Sequence, residues 1–305
     1  MNCRSAVTRS FAGIAVAAAV LGGCTTNTPP PSTSLPAPAL TSSAPIGQPP
    51  DLDGLVPTDA WLLGEQHDAP AHQALQRAVL QALLAEGRLA ALVIEMAERG
   101  ATTRELPADA NESTVREALR WSDSQSAGWD WAVYGPLVMQ AVRAGVPVLG
   151  GNLPRAEVRS TMRDTRLDSR LDPATWQRLQ TEIHDGHCQM LPPSQLAPMT
   201  RVQVARDLSM ARTIEAALVP GKTVLLVAGN QHVRRDLGVP RHWPPSLRNT
   251  VVVMVSGKSG PDHADAQAKA QADRVWHTEA LPPKDHCAAF KARSKPPPGG
   301  ALNAR

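Results

Sequence analysis

The chain has 305 residues, of which 42% are hydrophobic, and 31 Lys and Arg stand against 28 Asp and Glu. That composition supports one large or two small cores and sets the chain apart from the disordered and collagenous classes. No Lys/Arg block stands out, so the charge gives no support to a nucleic-acid partner.

Residues 1–23 read as an export signal, with Arg4 and Arg9 ahead of an apolar run, Phe11 to Leu21, too short to span a bilayer comfortably. Leu21-Gly22-Gly23-Cys24 looks like a bacterial lipobox. Small residues suit the signal peptidase, and the Cys24 thiol would carry the lipid (diacylglycerol, with palmitate as a further acyl chain). The alternative is an ordinary secretory signal that happens to hold a cysteine. Thr25 in place of Asp after the cysteine implies passage to an outer membrane, facing the periplasm. Arg4 and Arg9 are the only charges in the first 23 residues, so their removal leaves 29 basic residues against 28 acidic, a formal +1.

Residues 24–52 form a Pro-rich tether, with eight prolines between positions 25 and 50 and little apolar content. Residues 53–293 are expected to form a single domain, and 294–305 a disordered tail. Within the domain, Trp61-Leu62-Leu63 is a short β-prone run ending in Gly64-Glu65-Gln66-His67. Apolar residues at 74, 75, 78, 79, 82 and 83 predict a helix over 71–86, stopped by Gly87. Residues 90–94 predict a second buried strand, ending at Glu95. Helices follow at 115–121 and 134–144, then a strand at 146–149 running into Gly150-Gly151-Asn152. Residues 173–184 and 199–218 predict two more helices. Val224 to Ala228 predicts a fourth strand, which leads into Gly229-Asn230-Gln231-His232, and 250–255 a fifth. Val275-Trp276 adds a candidate edge strand. This alternation argues for an α/β fold, a mainly parallel sheet flanked by helices on both faces.

Glu65, His67, Glu95, Asn152, Asn230 and His232 all fall just past strand ends. In a parallel sheet those ends share one rim, where ligands of open α/β sheets bind. Two Gly-x-x-His ends, with histidines 165 positions apart, are the most informative pattern in the chain. Against this stands the reading that each polar residue caps a helix or pairs locally. Cys188 and Cys287 are the cysteines left once Cys3 is cleaved and Cys24 acylated. They are expected to form a disulfide closing a loop of about 100 residues, worth roughly 4–5 kcal/mol by chain entropy. The alternative is a metal pair with His184 and His187. His72 is expected at the surface.

Taken together, Gly64-Glu65-Gln66-His67, Ile94-Glu95-Met96, the Trp129-Asp130-Trp131-Ala132-Val133-Tyr134 stretch, Gly151-Asn152-Leu153-Pro154-Arg155 and Gly229-Asn230-Gln231-His232-Val233-Arg234, followed by Gly238-Val239-Pro240, resemble the ChaN-like haem-binding lipoproteins. That family shares a superfamily with the TIKI metalloproteases and erythromycin esterases. The resemblance covers about residues 58–255 and implies an α/β fold, a membrane-anchored protein of the cell envelope, and a role in haem or iron acquisition. It carries the axial haem-ligand role to Tyr134, the chain's single tyrosine. Beside it, Trp131 (with Trp129) would stack on the porphyrin, His67 and His232 would hydrogen-bond around the iron, and Arg155 or Arg234 would pair with propionates. A homodimer around haem is a further implication. The competing account of Tyr134 is a buried core side chain.

The enzyme alternative uses the same rim. In a TIKI-like hydrolase His67, Glu95 and His232 would bind Mn, Co or Zn, with Glu65 as general base. In an erythromycin esterase-like one, Glu65, His67, Glu95 and His232 would act without metal. A third reading is a scaffold lipoprotein with a degenerate site. Gln203, Arg206, Asp207 and Met210 share a face of the long helix and resemble a family pattern, so Arg206 or Asp207 could touch the ligand. The alternative is a salt-bridged helix lying on the sheet.

Overall fold

The computed structural model describes residues 57–121, 129–257, 271–288 and 291. The expected signal (1–23), tether (24–52) and tail (294–305) lie outside the described residues. None of the described helices is long and apolar enough to cross a membrane.

Six strands form one parallel sheet: β1 (Ala60–Glu65), β2 (Leu89–Glu98), β3 (Val148–Asn152), β4 (Thr223–Gly229), β5 (Asn249–Ser256) and β6 (Arg274–Thr278). Their order across the sheet is β3-β2-β4-β1-β5-β6, and every strand pair is parallel. The helices are α1 (Pro70–Ala85), α2 (Glu112–Ala118), α3 (Trp131–Arg143), α4 (Arg155–Thr161), α5 (Pro173–Gly186), α6 (Pro193–Ala217) and the single turn α7 (Asn230–Val233).

The strands are apolar on both faces because both faces are covered. Trp61, Leu63, Leu92, Ile94, Leu225 and Val227 point to one side, where they pack with Val79, Leu80 and Leu83 of α1 and Leu137 and Val138 of α3. The alternate residues Ala60, Leu62, Val93, Val224 and Leu226 meet Met210 and Ile214 of α6 on the other. Each fully buried leucine contributes about 1.5–3 kcal/mol of transfer free energy.

Chain order explains the site. From β1 the chain moves outward through β2 to β3, and later returns to insert β4 between β1 and β2 before β5 continues on β1's other side. The carboxyl ends of β1, β2 and β4 are therefore adjacent, at the point where the winding reverses.

The elements match the expected ones, with some differences. Helix α6 starts at Pro193, not 199, and runs through Pro198. Proline suits the first turn of a helix, so Pro193 sets the start, while the one carbonyl that Pro198 leaves without its helical donor is tolerated in a 25-residue element. Helices α4 and α7 are too short to show a hydrophobic period, so the sequence pattern did not predict them. His72 is fully buried, not on the surface. Its Nδ1 accepts from the Gln66 backbone N–H (3.0 Å) and its Nε2 meets the Thr278 hydroxyl (3.0 Å), which ties α1 to β6. Burial pushes its pKa down to about 4.

Cys188 and Cys287 are joined by a disulfide, with Cα atoms 5.5 Å apart. It fastens the segment that follows β6 to the end of α5. On the way, Lys284 lies 3.4 Å from Asp68, the residue after His67.

Candidate functional site

The first corner of the site grows from the end of β1. Glu65 is buried, and both of its carboxylate oxygens are occupied. Oε1 accepts from the Tyr134 hydroxyl (2.5 Å) and meets His67 Nδ1 (2.8 Å). Oε2 accepts from the Gln73 (3.1 Å) and Gln76 (2.6 Å) amides. Gln73 and Gln76 lie three apart and so share the face of α1 that meets this carboxylate. Tyr134 comes from the first turn of α3, which Asp130 caps by accepting from the Ala132 N–H. Burying a charge is costly unless hydrogen bonds satisfy it, and four donors surround this one.

His67 is the accessible member of this corner, its side chain 40% exposed. Burial opposes a charge on the ring. The hydrogen bond that the ring donates to Glu65 and the charges of Glu95 and Glu65 outweigh that and raise its pKa. Trp129 packs edge-on against the ring, with centroids 4.6 Å apart. With Nδ1 held by Glu65, Nε2 points toward Gly229. A Cβ there would sit 2.9 Å from Nε2 and 3.5 Å from Glu95 Oε2, so glycine is what lets the ring pack directly on the end of β4.

The second corner is sealed. Glu95 accepts from the Gly229 N–H (2.7 Å), and its other oxygen lies 3.3 Å from His232 Nε2. His232 Nδ1 lies 2.5 Å from Asp207 of α6, with the Gln203 amide also in contact. Burial favours a neutral ring, but Glu95 and Asp207 hold it charged and raise its pKa to about 10. Glu95, although buried, is drawn down to about 2, mainly by the His232 charge. Burial lifts Asp207 to about 6. The result is one imidazolium enclosed between two carboxylates.

The predicted site residues are thus brought together around Glu95 and Gly229, but of His67 and His232 only His67 reaches solvent, and several of the others are paired within the protein. Tyr134 is 3% exposed and donates its proton to Glu65. Burial and the adjacent Glu65 charge raise its pKa above the usual phenol range. The buried Arg234 forks onto Glu182 and Asp236 with both edges of its guanidinium, which leaves none for a propionate. Trp131 packs on Trp121 and bonds Glu112, away from the rim. Asn230 clamps the backbone of Met254 on β5, a structural role. Glu65 has no free oxygen to act as a general base. Both nitrogens of His232 are taken, and among the described residues no group of three His, Cys, Asp or Glu side chains is placed to hold a metal ion. The expected His67–Glu95–His232 metal set is therefore not formed.

Beside the corners a cleft of about 610 Å³ opens between the ends of β2 and β3, α4 and α6. Trp129, Met96, Leu153, Val158 and Met162 give it apolar walls. Arg155, Arg159 and Arg206 add positive charge, and Glu95 reaches it from the sealed corner. Asn152 lines it as well, donating to the Glu95 carbonyl. Of the two tryptophans named in the sequence, Trp129 lines the cleft and Trp131 does not; sequence reasoning missed Gln73 and Gln76. The three-residue spacing of the two glutamines, on an otherwise apolar helix face, was the available signal.

This arrangement defines a parallel α/β protein with a histidine–carboxylate rim beside an amphipathic cleft. Residues 52–243 match the family described as haem-binding uptake, Tiki superfamily, ChaN, and the chain belongs to that family. Among solved structures, ChaN of Campylobacter jejuni, described in a study of its cofacial haem binding, is similar in fold. It is 21% identical over 72% of this chain and 88% of its own, with a TM-score of 0.59. Weaker likenesses are the type III effector HopBA1 (14% identity, 73% of this chain and 88% of that chain, TM-score 0.37) and an erythromycin esterase mutant, EreC, in its open conformation (13%, 66% and 70%, TM-score 0.39). No curated protein sequence matches the chain.

Proposed function

We propose that this chain binds haem in the cleft beside Trp129 and serves haem or iron acquisition at the cell envelope, held to a membrane through a lipid on Cys24. The observation that carries the reading is the cleft itself. Its volume of about 610 Å³ falls within the range of small-molecule sites, and apolar walls with guanidinium groups suit a flat apolar ring bearing carboxylates. Family membership supports the same ligand.

Bound haem supplies an iron that accepts an axial donor. In place of Tyr134, we take as donor His67, whose ring packs against Trp129 of the cleft wall. Its Nδ1 is fixed by a buried carboxylate and Nε2 has no hydrogen-bond partner among the described residues, the pairing that orients imidazoles toward metals. Tyr134, Gln73 and Gln76 hold the carboxylate that holds the ring. Arg155 and Arg159 flank the mouth.

The test is a hemin titration of the purified protein. A saturable, red-shifted Soret band is expected. His67→Ala should remove the shift and cost about tenfold or more in affinity, while Tyr134→Phe should keep it. A parent protein giving no saturable Soret change would sink the haem reading. Loss of the shift in Tyr134→Phe alone would return the iron to Tyr134. Light scattering during the titration reads the expected homodimer, and Cys24→Ala should move the protein out of the membrane fraction.

A second reading is favoured by one observation, the half-exposed His67 ring whose Nδ1 is held by the buried Glu65 carboxylate. A water at its solvent side could be deprotonated by His67, giving a metal-independent hydrolase. Cleavage of ester or peptide substrates that survives chelator but is lost in His67→Ala supports it. No turnover in the parent removes it.

A further inference from the structure

Within the haem reading, on which this step rests, the geometry points to Arg206 as the residue that makes binding depend on a free carboxylate of the ligand. Arg206 lies on α6 and lines the cleft wall, and its Nε is buried with no hydrogen-bond partner. Among the described residues it is the one cleft-lining side chain with a buried polar atom left unpaired. Buried donors are almost always satisfied, so such an exception marks a place where an acceptor belongs.

The neighbours explain why nothing in the protein fills the role. Asp207, next along the helix, turns to His232 at 2.5 Å. Glu95, one of the two acids lining the cleft, is engaged by the Gly229 N–H and His232. Glu98 accepts from the backbone N–H of Arg155 (3.0 Å). Arg155 and Arg159 line the same cleft, but neither has a buried donor left unpaired, and beyond the lining Arg201 forks onto Asp168 and Arg234 onto Glu182 and Asp236. Side-on pairing of a guanidinium with a carboxylate uses Nε–H together with one Nη–H, and Nε is the donor left open here. Lysine has no such fork, so it would replace the charge without the geometry.

The prediction separates the carboxylate from the ring. Hemin and hemin dimethyl ester, offered in the same detergent, share the macrocycle and iron but differ in negative charge. The parent should bind hemin about tenfold or more tighter than the diester, as expected when a charge-assisted pair is lost. Arg206→Gln should bind hemin nearly as weakly as the parent binds the diester and lose most of the preference between the two, Arg155 and Arg159 supplying the remainder. Arg206→Lys should restore only part of it. Equal affinity of the parent for both compounds overturns the inference, as does an Arg206→Gln variant that keeps the full preference. If that variant fails to fold, the parent's ratio of affinities decides alone. A parent that binds neither compound refutes the haem reading itself, a result distinct from binding both equally.

Discussion

The two Gly-x-x-His ends look alike in sequence and differ in almost every physical respect. His67 leaves β1 into an open turn, its side chain 40% exposed, with one nitrogen held by Glu65 and the other uncommitted. His232 sits on a helical turn tucked against α6, its side chain 6% exposed, with both nitrogens facing carboxylates. What separates them is what covers the strand end. After β1 the rim is left open beside Trp129, whereas after β4 the long helix α6 brings Asp207 and Gln203 over the ring. A shared Gly-x-x-His pattern thus yields an accessible imidazole at one end and a buried cation at the other.

The largest effect expected from this contrast is on stability. His232→Ala leaves Glu95 and Asp207 buried together without their cation, and losing one partner of a buried ionic group costs about 3–5 kcal/mol. Urea unfolding should show the loss, and a change below about 1 kcal/mol would mean that the sealed corner is wetter than the structure indicates.

Next is Tyr134→Phe, which takes one of four donors from the buried Glu65 at about 1–3 kcal/mol and should leave the Soret position unchanged.

The pH dependence follows the same division. His232 has its pKa raised from an ordinary 6.5 to about 10. Its stabilising contribution is therefore complete below pH 6.5 and fades as pH rises toward 10. Glu95, held near 2 against an ordinary 4.5, contributes above 4.5 and loses its contribution as pH falls toward 2. Unfolding midpoints measured from pH 7 to 10 should decline in the parent and flatten in His232→Gln. His72 acts in the opposite sense to His232, because its pKa is lowered to about 4. It should cost stability as pH falls from 6.5 toward 4. An acid-side decline undiminished in His72→Asn would remove that assignment.

Much of the fold was legible because both faces of the sheet are covered. Short, wholly apolar strand runs alternating with amphipathic helices leave few alternatives to a parallel α/β sheet. The rim residues were legible too, since charged groups at strand ends have no packing reason to be there. Side-chain partnership was not. Nothing in the spacing of Glu65, Gln73, Gln76 and Tyr134 says that a phenol 69 positions away will meet one carboxylate, because that depends on how α3 packs against α1. The family pattern at Trp129–Tyr134 located the right segment and named both tryptophans, of which Trp129 lines the cleft. Trp129 precedes the helix and faces the rim, whereas Trp131, two positions on, falls on the far side of the first turn. His72 was misread because its helix stripe was scored by apolar residues alone, and an imidazole bridging α1 to β6 leaves no periodic trace.

The smallest expected effect is the one that sharpens the contrast most. His67→Ala removes a half-exposed ring whose loss leaves Glu65 with three of its four donors, so stability should change by only about 1 kcal/mol. Binding or turnover, in contrast, should collapse. Either use of Nε2 needs the neutral ring, and the pKa of His67 is raised, so function should switch on as pH climbs through that value. A pH profile of hemin binding in the parent, compared with a flat and weak one in His67→Ala, reads this directly. If His67→Ala instead destabilised the fold as much as His232→Ala, the open corner would be as structural as the sealed one. The motif would then carry one role at both ends.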